Sequence, residues 1–339
     1  MLGQQTIGKL TSSPVIHRHP GNPILAPKDV PYGPSLVFNV GVARYNGKYV
    51  MAFRNDYEHS PGSLHIDTTR SNIGLAYSDD GIHWDVQPEP VFAIRDDENL
   101  RVYDPRLTVI DGRCYMCFAV DTLHGLRAGI AVTDDFTKFE ILHLSLPDNR
   151  NVVLFPERFN GRYLRLDRPF PVYSRITPET FDIWISQSPD LRFWGESSLL
   201  LGAEQVPYAN RKIGPGAPPV KTPQGWLTMF HAVDFDPERG KNGWEEQWQK
   251  RYTTGIMLLD LDDPRKVIGM YRQPLIAPEA PYEIDGGFRN NVIFATGMVL
   301  EESGEVKIYY GAADTVTCLA TAHVDDLVRL CLEGGSPNH

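Results

Sequence analysis

The sequence predicts an all-β fold, a five-bladed β-propeller closed by a short C-terminal helix. Two repeated phrases carry that prediction. A glycine turn followed by an alternating aromatic strand recurs as NGKYVMAFRND, DGRCYMCFAVD, NGRYLRLDRP, QGWLTMFHAVD and SGEVKIYYGAAD. A small residue, an alternating strand and a polar turn follow most copies: NIGLAYSDDGIHWD, RAGIAVTDDFTKFE, DIWISQSPDLRFWG and TTGIMLLDLDDPRKVIG, with a shorter TCLATAHVDDL after the last. Period-two alternation bounded by Gly, Asp, Asn and Pro marks strands joined by hairpins. Five such passes fit a closed ring of blades.

A closed repeat array of this kind holds together as one unit at 339 residues, so residues 1–339 are read as a single propeller domain. The long stretches from Tyr57 to Arg70 and from Asp234 to Arg251 are expected to form loops over one mouth of the axial channel, where substrate selection resides. At the end of the chain, HVDDLVRLCLEGG has helical apolar spacing and a terminal glycine pair, which predicts the closing helix.

Composition narrows the function classes. The net charge is -10, from 33 basic and 43 acidic residues, without a basic stripe, which argues against nucleic acid as a partner. The first residues, MLGQQTIGKLTSSP, have no apolar core of a signal peptide, and no apolar run is long enough to cross a bilayer. The expectation is a cytoplasmic protein without a membrane partner. Cys114, Cys117, Cys318 and Cys331 are too sparse for a disulfide scaffold. Cys114 and Cys117 have redox or zinc spacing but lie in a predicted strand, where residues three apart point to opposite faces, so they are read as buried thiols. No metal-ligand spacing, nucleotide cradle or nucleophile elbow is present, and no metal or organic cofactor is expected.

The chemistry concentrates in VYDPRL. Asp104 lies eight residues before Gly112, and Asn39 eight before Gly47 in the matching stretch FNVGVARYNGKYV, so the two should occupy equivalent places in neighbouring blades. A carboxyl group in a partly dry axial pocket has its pKa raised, which makes Asp104 the candidate general acid. The competing reading is a structural ion pair with Arg106, two residues along the strand. A second group is cationic: Arg150, Arg168, Lys212 and His231. Arg168 and His231 close strand phrases where other blades carry Asp56, Asp121 and Asp314, so blades three and four should face the axis with positive charge. Together these cations could hold an anion of phosphate size. Inverting hydrolysis needs a second carboxylate about 6.5 to 9.5 Å from the acid to activate water. Phosphate is already a nucleophile, so an acid opposite a cationic pocket is the layout of an inverting phosphorylase.

The ordered motifs HPGNPIL, VFNVGVARYNGKYVMAFRND, SDDGIHW, YDPRLT, NVVLFPERFNGRYLRLDRP, DIWISQSPDLRFWG, KIGPGAPPVKTPQGWLTMFHAVD, PLIAPEAPYE and YYGAAD resemble the β-mannoside phosphorylases of glycoside hydrolase family 130, over nearly the whole chain. The resemblance implies a five-bladed propeller in which Asp104 is the sole catalytic acid, its proton passing through the 3-hydroxyl of the donor mannosyl residue. It assigns phosphate, the co-substrate, to Arg150, Arg168, Lys212 and His231, and the donor mannose to Asn39, Arg54, Asn55 and Asp314, with Asp56 and Asp121 beside them. The reaction implied converts a β-mannoside and phosphate to α-mannose 1-phosphate, with inversion. HPGNPIL, FRNDY and the HAVDFDPERGKNGWEEQWQKRY loop place the chain nearest the group acting on β-1,4-mannooligosaccharides, with β-1,2-mannosides or mannosyl-glucose as alternatives. A homo-oligomer, dimer or hexamer, is expected as well, with Leu327, Leu330 and Leu332 offering apolar surface.

Two other readings compete. A β-mannosidase would need a base carboxylate on blades three or four. A non-catalytic sugar-binding propeller would use Trp184, Trp194, Trp226, Trp244 and Trp248 as stacking surfaces; most of these fall in strand phrases and are read as packing, whereas Trp244 and Trp248 lie in a loop and are better placed for the acceptor sugar.

Overall fold

The structure is a computed structural model and describes residues 6–60, 70–173, 179–239, 243–245 and 248–337. Each glycine-led phrase forms the second strand of a blade: Lys48–Asp56, Arg113–Thr122, Tyr163–Pro169, Gly225–Phe235 and Glu305–Ala312. The follow-on phrases form the third strands, Ser71–Ser78, Gly125–Thr133, Ile183–Ser188, Lys250–Leu259 and Val316–His323. The first strands, Leu36–Tyr45, Asn99–Ile110, Asn149–Leu154, Ile213–Pro215 and Ile293–Leu300, meet one another around the axis. All five sheets are antiparallel, so the fold is the five-bladed propeller that the repeats predict.

The outer strand of the fifth blade comes from the other end of the chain. His17 pairs with Thr321 and Arg18 with Ala320. Arg18 then fastens this junction: its Nε and Nη2 donate to the two oxygens of the fully buried Glu283 at 2.8 and 3.0 Å, and the Tyr310 hydroxyl donates to the same carboxylate at 2.9 Å. Asn22 adds a reciprocal pair of 2.8 Å bonds with the backbone of Leu319.

Stability comes from between the blades. Alternation gives each strand two apolar faces, and the larger apolar clusters fill the interfaces between successive blades: Ala52, Phe92 and Phe118 at the first, Ile130 and Leu154 at the second, Phe155, Trp226 and Phe230 at the third, Met229, Ile308 and Tyr310 at the fourth, Met51 and Tyr309 at the fifth. Cys114 belongs to the first of these clusters and Cys117 to the second, on opposite faces of their strand, and burial pushes both thiols up to about 12.

The closing helix spans Val324–Gly334, with His323 as its cap. Its apolar face corrects one expectation. Leu327 and Leu330 are buried in the cluster between blades four and five, so they seal the ring rather than offer surface to a partner; Leu332 alone of the three is exposed. The long loop from Tyr57 to Arg70 lies largely outside the described residues, as do residues 240–242 and 246–247 of the loop after Asp234.

Candidate active site

Three axis-lining strands break their ladders where the polar residues stand. Register shifts occur between Phe38 and Val40, Tyr103 and Arg106, and Arg150 and Val153. Asn39, Asp104 and Asn151 sit at these breaks with φ of 51°, 54° and 60°. Asn and Asp tolerate the left-handed region better than other side chains, and a bulge re-aims the residue it contains. The equivalence of Asn39 and Asp104 read from spacing is therefore a shared backbone device. It also joins them: Asn39 Nδ2 donates to Asp104 Oδ1 at 2.9 Å. Gly311 makes room for this contact, since a Cβ there would lie 2.3 Å from Asn39 Oδ1.

Asp104 is buried but not unpaired. Arg54 Nη1 donates to the same Oδ1 at 3.1 Å, while Arg54 Nε and Nη2 grip Asp56 at 2.9 and 2.6 Å. The guanidinium lies between the rings of Phe38 and Tyr103, 4.5 and 4.6 Å from their centres, which fixes its orientation. Arg106, the ion-pair partner weighed from the sequence, does not bond the Asp104 carboxylate. The bulge breaks the two-residue alternation, and Arg106 instead donates to the carbonyls of Asp104 and Gly216 at 3.0 and 2.9 Å and to Asn151 Oδ1 at 3.3 Å. The expected rise in the Asp104 pKa is also corrected. Burial raises it, but Arg54, Arg106, the Asn39 amide and Arg150 together outweigh burial and hold the carboxyl below its ordinary value.

The opposite side of the pocket is cationic. Arg168 is buried, and its Nη1 donates to His231 Nε2 at 3.0 Å. Because Nε2 accepts, the neutral imidazole carries its proton on Nδ1. Burial first, then Arg168, Arg106, Lys212 and Arg150, push His231 well below the usual histidine value, so it is neutral. Burial and Arg150 likewise push Arg168 down to about 9. Arg168 Nε and Nη2, Arg150 Nε and His231 Nδ1 are buried donors without an acceptor among the described residues. Gly214 permits the arrangement, since a Cβ there would lie 2.4 Å from the His231 ring and 2.7 Å from Arg168 Cδ. Crowded cations with unspent donors form a site that an anion completes.

Asn39, Arg54, Asp104, Arg150, Arg168 and Asp314 line one pocket at the axis. Lys212 and His231 lie behind the cationic wall; Asp56 lies behind Arg54. Asp121 is outside the lining, held by Arg101 at 2.6 Å and the Tyr103 hydroxyl at 2.7 Å. Asn55 points to the other face of its strand, where its amide donates to Asn72 Oδ1 at 3.0 Å. The pocket also contains residues that the repeat pattern did not indicate: Asn151, Tyr252, Arg289, Val292 and Phe294. Arg289 donates to Asp314 at 3.3 Å, pairs with Glu245 and stacks over Trp248, which lines the pocket, whereas Trp244 packs against Leu36, Phe38 and Phe288 away from it. Asp314 differs from Asp104: burial outweighs Arg289 and Arg54, and with Asp104 nearby its pKa is raised. No group of three or more His, Cys, Asp or Glu side chains is placed to hold a metal among the described residues.

A carboxyl group and unspent guanidinium donors thus line one pocket at the propeller axis. The chain belongs to glycoside hydrolase family 130: the family model, described as β-1,4-mannooligosaccharide phosphorylase, matches residues 15–333. It is thus an enzyme, a β-mannoside phosphorylase with inorganic phosphate as co-substrate. The β-1,4-mannooligosaccharide phosphorylase of Ruminococcus albus is 34% identical over 93% of this chain and 90% of its own. A 1,2-β-oligomannan phosphorylase of Thermoanaerobacter is 31% identical over 90% and 96%. The solved β-1,2-mannobiose phosphorylase of Listeria innocua, in complex with β-1,2-mannobiose, superposes with a TM-score of 0.79 and 28% identity over 93% of this chain and 99% of that one.

Proposed function

We propose that the enzyme cleaves a terminal β-mannoside by inverting phosphorolysis, with Asp104 as general acid and phosphate held by Arg150 and Arg168, backed by Lys212 and His231. The observation that carries this reading is the set of buried donors on Arg150 and Arg168 left without an acceptor across the pocket from Asp104. Asp104 must be protonated to act. Arg54 and Arg150 favour its ionised form, and an anion beside Arg150 and Arg168 offsets that pull and supports the acid. Asn39, Arg54 and Asp314 line the pocket on the side away from the cations and are assigned to the donor mannose. Asp56 and Asp121 act on this subsite through Arg54 and Tyr103, and Asn55 through the packing of its strand.

A hydrolytic reading needs a base carboxylate on blades three or four, since Asp314, the second carboxylate on the pocket, belongs to blade five and is paired with Arg289. The buried carboxylates of blades three and four, among the described residues, are engaged elsewhere: Asp167 by Arg165 at 3.0 Å and by Asn149 at 2.9 Å, Asp182 by the Ala203 amide at 2.9 Å, Asp234 by Arg251 at 2.8 Å and by Arg239. None of them lines the pocket.

For the linkage, β-1,2 takes precedence over the β-1,4 expectation. Two relatives from different organisms carry β-1,2 names, and one of them superposes on nearly the whole chain. The β-1,4 reading rests on the family description and the Ruminococcus relative. Incubating the enzyme with β-1,2- and β-1,4-mannobiose, each with and without phosphate, tests both points. Phosphate-dependent release of α-mannose 1-phosphate is expected, fastest from the β-1,2 disaccharide. Equal cleavage without phosphate overturns the phosphorylase assignment, and faster turnover of the β-1,4 disaccharide overturns the linkage.

A further inference from the structure

Among the described residues, five cations, Arg150, Arg168, Arg211, Lys212 and Lys250, converge where blades three and four meet, and the carboxylate of Glu179 stands among them. Lys212 is buried, and burial, then Lys250, Arg168 and Arg150, push its ammonium well below the ordinary lysine value; Glu179 is the group that opposes them. Glu179 belongs to the connection leading into blade three's third strand, whereas Lys250 begins the third strand of blade four. Its carboxylate takes Lys250 Nζ at 2.8 and 3.0 Å and comes within 4.0 Å of Lys212 Nζ. The second contact is an ion pair at its outer limit rather than a hydrogen bond, which leaves the ammonium protons of Lys212 for another acceptor. Around Lys212 the other facing groups are the Phe181 ring at 5.6 Å and the neutral His231; around Glu179 the further charge is Arg211. Glu179 also holds φ at 57°, a conformation unfavourable for a glutamate and kept here by its surroundings.

We propose that Glu179 is a positioning residue for phosphate: shared between Lys250 and Lys212, its carboxylate keeps Lys212 charged beside Arg168 without touching the anion. The inference rests on the assignment of phosphate to the cationic wall. Without Glu179, the charges around Lys212 among the described residues are all positive, and it loses its proton at lower pH. Anion affinity then falls earlier as pH rises. At acidic pH the sign reverses, because Lys212 is protonated in either case and the variant has lost a negative charge near the bound anion.

Calorimetric titration of the whole enzyme with sodium sulfate, whose charge is constant across neutrality, and with inorganic phosphate tests this from about pH 5.5 to pH 9. For sulfate, Glu179→Gln is expected to bind about tenfold more weakly than wild type at the alkaline end, the effect of a one-unit change in the Lys212 pKa, and as well or better at the acidic end. Glu179→Asp, which keeps the charge, should stay close to wild type. A ratio of affinities that does not change with pH overturns the proposal, since a loss of shape alone acts equally at every pH. Wild-type enzyme that binds neither ion instead overturns the phosphate assignment, and this inference with it.

Discussion

The two walls of the axial pocket have opposite states of completion. On the side of blades one and two, the charges are paired: Arg54 spans Asp56 and Asp104, and Asn39 shares Oδ1 of Asp104 with it. On the side of blades three and four, guanidinium donors of Arg150 and Arg168 stay unspent and their charges repel. The first wall is cross-bonded within itself, and the second keeps donors that an anion would engage. Under the proposed assignment such a site would bind sugar by shape and the nucleophile by charge, and the two could be perturbed separately.

The comparison breaks most sharply at Asp104. Asp104→Asn keeps the shape and the contact with Asn39 or Arg54 but cannot supply a proton, so turnover should fall by roughly 10² to 10⁴ with folding retained. Steady-state rates with mannobiose and phosphate, beside a melting curve, check it; a variant with a tenth of wild-type activity would return Asp104 to a structural role. Arg168→Ala should act on the other wall alone, raising the KM for phosphate through the loss of about 1.5 to 3 kcal/mol while the KM for mannoside changes little. A larger effect on the mannoside would place Arg168 in the sugar subsite.

Completion of the cationic wall should also be visible without turnover. Phosphate at about 100 times its Kd adds about 2.7 kcal/mol of stability, so Tm should rise in phosphate and not in chloride of equal ionic strength. A double variant, Arg150→Ala with Arg168→Ala, should lose that rise; a rise that survives would move phosphate elsewhere. The smallest effect is expected at Trp248, whose replacement by Ala should raise the mannoside KM by roughly two- to tenfold and leave phosphate unaffected. An unchanged mannoside KM would take Trp248 out of acceptor binding.

How much of this was legible depended on how regular each blade is. Eight residues separate Asn39 and Asp104 from the glycines of their hairpins, and the same interval before Gly304 lands on Thr296, at the fifth blade's own register shift. In blade three the hairpin is two residues longer, so Asn151 fell outside the rule although its backbone performs the same turn. Alternation predicts that Arg106 shares a face with Asp104, and the bulge that re-aims Asp104 is what defeats it. The Asp104 pKa was misjudged for a related reason: burial was readable from the apolar strand, whereas Arg54, 50 positions away, was not recognisable as its partner. Arg289 and Tyr252 were missed because they reach the pocket from segments whose approach depends on blade packing, which has no period in the sequence.

The join at the rim of the ring imposes an order on biosynthesis. His17 and Arg18 precede the first blade, yet their partners Thr321 and Ala320 belong to the fifth. The fifth blade therefore cannot gain its outer strand until its own third strand has been made, and the nascent chain must keep the segment around His17 available while the other four blades are synthesised. Joining such distant segments carries the entropy of closing the whole chain, and Glu283, Tyr310 and Asn22 act as a latch that secures the join once made.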